Sequence, residues 1–304
     1  MNRLVKLILC LLPWGKPADP DPDPTPDPVP EPAPPPPLLP EFEQNVAYGL
    51  SPLQKGDIYR PPGMRLGDLA PVILMVHGGG WANDKGDKAN AGVIANKIAC
   101  WLARGYMVIS INYDLWTSTN GITPLQEGQD VGLALAFFQR TATGGDPLRY
   151  TLMGHSAGGH LVSLVATSLP IQKAAGFFLP NGVVCLDSIY DPALAIDTAN
   201  KTGNKQAIEL YKPFGTDRSK WPDESPIECV AGPTGPFYLA YSTNEGPGRE
   251  KQAKNFAGRV KQFGGAAQFK GYPYDHADMD SLVGQPCDLT DDVVAFIAGL
   301  PKAA

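Results

Sequence analysis

The segment Gly154-His155-Ser156-Ala157-Gly158 sets a serine midway between two glycines. A short apolar run, Tyr150-Thr151-Leu152-Met153, leads into it, and Leu161 to Ala166 follows in the manner of a buried helix. A Gly-x-Ser-x-Gly turn between a strand and a helix holds its serine in a strained backbone conformation, with glycines where chain segments come too close for a Cβ. Ser156 would then sit at a helix N-terminus, whose partial positive charge favours a developing oxyanion. The chemistry this points to is nucleophilic attack on a carbonyl. In a chain with 33 glycines the bare pattern is only moderately specific; the flanking strand and helix supply the rest.

A serine hydroxyl is a weak nucleophile until a base takes its proton. The chain has four histidines: His77, His155, His160 and His276. The first two precede Ser156, and His160 lies one turn along the same helix, pointing away from the elbow. His276, in Tyr274-Asp275-His276-Ala277-Asp278 after the last predicted strand, fits the base by position and by elimination. Backbone donors for an oxyanion, besides the Ala157 amide, are available in His77-Gly78-Gly79-Gly80-Trp81. Those glycines follow a buried apolar run and let main-chain N–H groups approach a ligand closely.

Together His77-Gly78-Gly79-Gly80-Trp81, Gly154-His155-Ser156-Ala157-Gly158 and Asp275-His276 resemble the α/β-hydrolase superfamily. The likeness is to carboxylesterases with an HGGG oxyanion loop, of the hormone-sensitive-lipase and feruloyl-esterase kinds. Gly86-Asp87-Lys88 and Asn112-Tyr113 add to it, and it spans roughly Glu43 to Leu300. It implies a triad of Ser156, an acid and His276, with an oxyanion hole from the Gly79, Gly80 and Ala157 amides and with Trp81 and His155 facing substrate. It further implies cleavage of a small-molecule carboxylic ester by two-step acyl transfer, with neither a metal nor an organic cofactor.

The acid departs from the pattern. Such enzymes carry Asp in a Gly-x-x-Asp turn after the penultimate strand, and here that segment is Tyr241-Ser242-Thr243-Asn244-Glu245-Gly246. Glu245 is favoured, Asp187 after an earlier strand is its first rival, and Asp275 comes third because adjacent side chains in an extended loop point apart. Two other readings stay open: amide cleavage by the same triad, as in an arylformamidase, and a non-catalytic binding protein on the same fold. The second generally lacks the histidine.

Elements must position these groups. Pro71 to His77, Tyr106 to Ile111, Arg149 to Met153, Val183 to Leu186, Phe237 to Tyr241 and Ala266 to Phe269 read as strands, and Glu43 to Arg60 as a further β region. Asp87 to Arg104, Pro124 to Arg140 and Leu289 to Leu300 read as helices between and after them. Alternation of this kind predicts a doubly wound, mostly parallel α/β sheet. Residues 189–226 break the rhythm, and their aromatics suit a lid or pocket wall over the strands' carboxyl ends.

Ahead of this domain, expected over residues 41–304, lie two different stretches. Residues 17–40 are nearly every second one proline, interspersed with acids, and read as an extended tether. Residues 1–16 pair a basic start with a short apolar run, similar to a minimal secretory signal or an anchor carried on Cys10. Export to the envelope or medium is the corresponding expectation, with a membrane tether through this end alone; a cytoplasmic protein with an untidy start is the alternative. A net charge of −6 and the lack of any basic run argue against a nucleic-acid partner. None of the five cysteines has CxxC spacing, so a zinc site is not expected; disulfides are permitted without being demanded.

Overall fold

The computed structural model describes residues 35–82, 87–88 and 91–301. The chain divides into Met1–Pro35 and a compact unit from Pro36 onward, and the elements below belong to the latter. The expected signal or anchor segment, most of the tether, and Gly86 lie outside the described residues.

Eight strands form one sheet in the order β1-β2-β4-β3-β5-β6-β7-β8. They are β1 (Phe42–Ala47), β2 (Lys55–Tyr59), β3 (Ala70–Val76), β4 (Met107–Ile111), β5 (Gly145–His155), β6 (Gly182–Leu186), β7 (Phe237–Ser242) and β8 (Ala267–Tyr272). The single β region expected over residues 43–60 is an antiparallel hairpin, β1 with β2, and β2 joins β4 antiparallel. From β4 to β8 every pairing is parallel.

The continuous apolar runs follow from burial on both sides, as parallel strands require. Because side chains alternate, each strand feeds two cores. Val72, Leu74 and Val76 of β3 join one cluster and Ile73 and Met75 the other; Val183 and Cys185 of β6 part from Val184 and Leu186 in the same way.

Helices cover the two faces: α1 (Ala91–Leu102), α2 (Pro124–Thr141), α3 (Ala157–Thr167), α4 (Leu169–Ala175), α5 (Pro192–Thr202), α6 (Lys205–Leu210), α7 (Pro226–Cys229), α8 (Pro247–Gln262), α9 (Asp278–Ser281) and α10 (Asp288–Ala298). Val131 and Leu135 of α2, Leu161 and Leu164 of α3, and Phe256 of α8 enter the first core. Trp101 of α1, Met279 of α9 and Val293 of α10 enter the second. Among the described residues no helix is long and apolar enough to cross a membrane, and Cys100, Cys185, Cys229 and Cys287 are all free thiols.

Two expectations are corrected. The domain starts before residue 41: Leu39 packs against the core, its N–H donates to the Met64 carbonyl at 2.8 Å, and Leu66 N–H donates to Pro37 at 2.9 Å. Leu39 gives that stretch something to bury, while its neighbour Leu38 stays exposed. The first helix begins at Ala91 rather than Asp87, because Asp87 and Lys88 are held elsewhere. Lys88 N–H donates to Asn112 Oδ1 at 2.6 Å and its ammonium pairs with buried Asp57 at 2.7 Å. Residues 189–226, expected as a lid or pocket wall, are mostly helical, built from α5, α6 and two 3₁₀ turns. Gln252 of α8 clamps their start, its Oε1 accepting from the N–H groups of Tyr190 and Asp191 at 2.9 and 2.8 Å.

Candidate active site

Ser156 stands between β5 and α3 with φ 54° and ψ −120°, a conformation that L residues rarely adopt. Its neighbours enforce that strain. Ser156 N–H donates to Leu186 O at 2.9 Å, and Ser188 Oγ donates to Ser156 O at 2.8 Å, so the end of β6 grips the turn on both sides. A Cβ on Gly154 would lie 2.3 Å from Gly158 O, and one on Gly158 would lie 2.1 Å from Val76 O. Only glycine fits at either position.

His276 follows β8 and reaches the serine: Nε2 lies 2.9 Å from Ser156 Oγ. Its other ring nitrogen meets Asp187, with Nδ1 to Oδ2 at 2.5 Å. Asp187 is fully buried just after β6, at φ 47°. Its second oxygen accepts from Ser242 N–H at 2.9 Å, and Arg249 Nε lies 3.5 Å from Oδ2. Burial works against ionisation of this carboxyl, but the His276 hydrogen bond and the Arg249 charge outweigh it and hold its pKa below the ordinary value.

The expectation that Glu245 orients the histidine is therefore corrected. The last residue of β7 supplies Ser242 N–H to brace Asp187, while Glu245 beyond it is exposed, with its backbone N–H held by Ser242 Oγ at 3.2 Å. Strands β6 and β7 are parallel neighbours ending at the same rim, so either could carry the acid. Asp275, the third choice, instead accepts from Asn244 Nδ2 at 2.9 Å.

The glycine turn after β3 lies against the elbow. Gly79 and Gly80 have φ of 125° and 66°, and a Cβ on Gly78 would meet His155 O at 2.9 Å. Among the described residues the Gly79, Gly80 and Ala157 amides donate to no other group. Tyr113 Oη donates to His77 O at 2.9 Å and its ring stacks on the His77 imidazole, so the Asn-Tyr pair after β4 steadies the turn from beneath.

Trp81 does not face substrate. At φ 59° its indole turns into the core, 3% exposed, and donates to His160 Nδ1 at 3.2 Å while packing edge-on against Phe214. It anchors the turn. His155 lines the cavity but also holds the base, its Nε2 donating to the His276 carbonyl at 2.8 Å. Sequence reasoning missed Arg249, which reads as an ordinary polar residue in the first turn of α8, and the Trp81–His160 contact. A histidine among nothing but apolar and small residues was the available signal for the second.

His160 Nε2 in turn donates to Glu224 O at 2.8 Å, joining the elbow helix to the 3₁₀ turn Trp221–Glu224. Burial pushes His160 down to about 4, so it stays neutral. Glu224 and Glu127 are buried near one another, each with one carboxyl oxygen unpartnered. Burial pushes Glu224 up to about 7 and Glu127 well above its ordinary value.

A pH dependence follows. Between the ordinary value of 4.5 and about 7 the folded protein holds a proton on Glu224 that the unfolded chain has lost. Its contribution is complete below that window and declines as pH rises through it, by on the order of 3 kcal/mol. His160 slopes the other way, losing stability as pH falls from 6.5 towards 4. Comparing Glu224→Gln with the parent isolates the first slope. The variant's Tm should gain on the parent's as pH rises from 4.5 to 8, by ~5 °C or more at the top. A difference constant with pH would contradict this.

A cavity of about 800 Å³ opens above Ser156 and His276. Helices α5 and α6 form one wall, presenting Leu194, Ala195, Thr198 and Leu210, and Tyr211 and Arg249 close it at the side. Trp221 Nε1–H donates to Phe214 O at 3.0 Å, and Arg218 makes a two-pronged contact with Asp197 at 2.7 and 2.9 Å, so the insertion is fastened internally.

Comparisons with known proteins bear on the family and the fold. A family model described as BD-FAE matches residues 56–257. The probable carboxylic ester hydrolase LipM of Mycobacterium tuberculosis is 26% identical over 225 residues, 68% of this chain and 48% of LipM. Esterase LipQ of the same organism is 27% identical, over 69% of this chain and 50% of its own length. The chain thus spans about half the length of these curated relatives. Among solved structures, esterase B of Lactobacillus rhamnosis superposes with a TM-score of 0.67 at 21% identity, covering 86% of this chain and 88% of that one; at this identity the likeness speaks to the fold.

Proposed function

From the premise that this chain belongs to the BD-FAE family, we propose that it is a serine hydrolase of carboxylic esters acting through Ser156, His276 and Asp187. The observation that carries the reading is the unbroken hydrogen-bonded line from Ser156 Oγ through both nitrogens of His276 to Asp187. Its direction follows from donors and acceptors. An ionised Asp187 can only accept, so Nδ1 carries the imidazole hydrogen and Nε2 offers its lone pair to the serine hydroxyl.

Ser156 Oγ attacks the ester carbonyl as His276 takes its proton. The tetrahedral oxygen collects charge beside the Ala157, Gly79 and Gly80 amides, each such donor being worth ~3 kcal/mol in the transition state. Protonated His276 is stabilised by Asp187 and hands its proton to the departing alcohol. Water then repeats the sequence on the acyl-serine and releases the acid. Tyr113, Trp81 and His155 act on this chemistry at one remove, by fixing the glycine turn and the His276 loop.

Amide cleavage by the same groups is the second reading. The test is direct: a fluorophosphonate probe should label the peptide bearing Ser156 in the folded protein, and the protein should turn over 4-nitrophenyl butyrate in preference to the matching anilide. Absence of both labelling and ester turnover would reject the assignment; faster cleavage of the anilide would favour the amidase.

A further inference from the structure

The cavity wall on the side of α8 is not apolar throughout. Arg249 projects into it from the first turn of that helix, with its side chain about one-fifth exposed. Its contacts with Asp187 are long, 3.5 Å from Nε to the carboxylate and 3.5 Å from a terminal nitrogen to the Asp187 carbonyl. At that length they leave most of the guanidinium's five N–H groups to the cavity. Tyr211 faces the same space, close enough for the Arg249 charge to act on its phenol. Among the described residues the Tyr211 hydroxyl has no hydrogen-bond partner, although its ring packs against both Trp81 and Phe214. Around these two donors the surface is apolar, with Ile189, Leu194 and Leu210.

A planar guanidinium beside a rigid hydroxyl, set in an apolar wall next to the reacting groups, suits a carboxylate. A neutral acyl chain would leave both donors to water alone. We propose that Arg249 and Tyr211 form a carboxylate-accepting subsite, so that the favoured substrates are esters bearing an acid group a short chain away from the scissile bond. This deepens the esterase reading and rests on it. Arg249 then serves twice, bracing Asp187 from one side and holding the substrate's acid from the other.

Matched ester pairs differing only in that charge test the subsite on either side of the bond. The 4-nitrophenyl monoester of adipate is compared with 4-nitrophenyl hexanoate, and 4-acetoxybenzoate with 4-acetoxybenzamide. The full chain should favour the acid member of at least one pair in kcat/KM, and high salt should erode that preference. Arg249→Gln is expected to slow both members, because the brace on Asp187 is lost, but to lower the acid-to-neutral ratio by a further ~10-fold or more. Arg249→Lys should restore part of that ratio, and Tyr211→Phe should lower it ~3-fold. Should Arg249→Gln not fold, the salt dependence of the parent and the Tyr211→Phe ratio carry the test. A ratio unchanged in Arg249→Gln, or neutral members preferred in both pairs, overturns the subsite and leaves the esterase standing. Failure to cleave any of the four esters, with Ser156 unlabelled by the probe, would instead remove the reading beneath it.

Discussion

Asp187→Asn is expected to lower kcat on a neutral 4-nitrophenyl ester by ~10⁴-fold, while Glu245→Gln changes it by less than ~3-fold. The asymmetry follows from what each carboxylate touches. Asp187 Oδ2 accepts from His276 Nδ1 at 2.5 Å and its Oδ1 accepts from Ser242 N–H at 2.9 Å. In the amide variant the oxygen stays on Ser242, because a backbone donor cannot face an NH₂ group. The NH₂ then points at His276, forcing Nδ1 to accept and Nε2 to carry the hydrogen. An imidazole in that tautomer has no lone pair for the serine. Glu245 is exposed at the cavity's edge and touches neither ring nitrogen, so neutralising it leaves the His276 tautomer unchanged. Steady-state kinetics on both variants, with Tm as a control for folding, decide the matter. Comparable rates for Asp187→Asn and the parent, or a collapse in Glu245→Gln, would return the acid's role to the loop after β7.

The acid was the least legible part of the site, for a reason that separates it from the serine. The elbow is local: one strand, one turn and one helix, each marked by its own residues within Tyr150 to Ala166. The glycine turn after β3 is local in the same sense, and His276 needed only a choice among four histidines. Which carboxylate meets that imidazole depends on the lateral order of β6, β7 and β8 and on backbone twist at their ends, such as the φ of 47° at Asp187. Periodicity carries no such information.

Trp81 misled for a similar reason. A tryptophan after a glycine turn looks ready to meet substrate, but a positive φ and a buried acceptor, His160, pull it inward. The sheet itself was readable because Val72 to Val76 and Val183 to Leu186 are apolar on both faces. The helical insertion was not, since Lys205 to Leu210 buries no residue fully and so shows no clear apolar stripe.

Gly158→Ala should cost more in stability than any other single methyl added at the site. Gly158 lies in the first turn of α3, where the helix crosses the carboxyl end of β3. An alanine Cβ there would sit 2.1 Å from Val76 O, 2.6 Å from His77 O and 2.8 Å from Val76 C. Val76 ends a central strand paired on both sides with β4 and β5, so its backbone cannot yield as a side chain tip would. Relief requires α3 to lift from the sheet, unpacking Leu161, Val162 and Val165, all fully buried. It also requires the Ser156 turn to open, which breaks its approach to His276. A cost of ~4 kcal/mol is expected, lowering Tm by ~10 °C in a domain of this size. Alanine at Gly248, where an added Cβ meets nothing within 4 Å, gives the contrast. It should leave Tm within ~2 °C of the parent, since exposed helical alanine is no worse than glycine. Equal Tm values for the two variants in a thermal melt would mean that the elbow tolerates a side chain, and that the strain at Ser156 is not imposed by the closeness of β3.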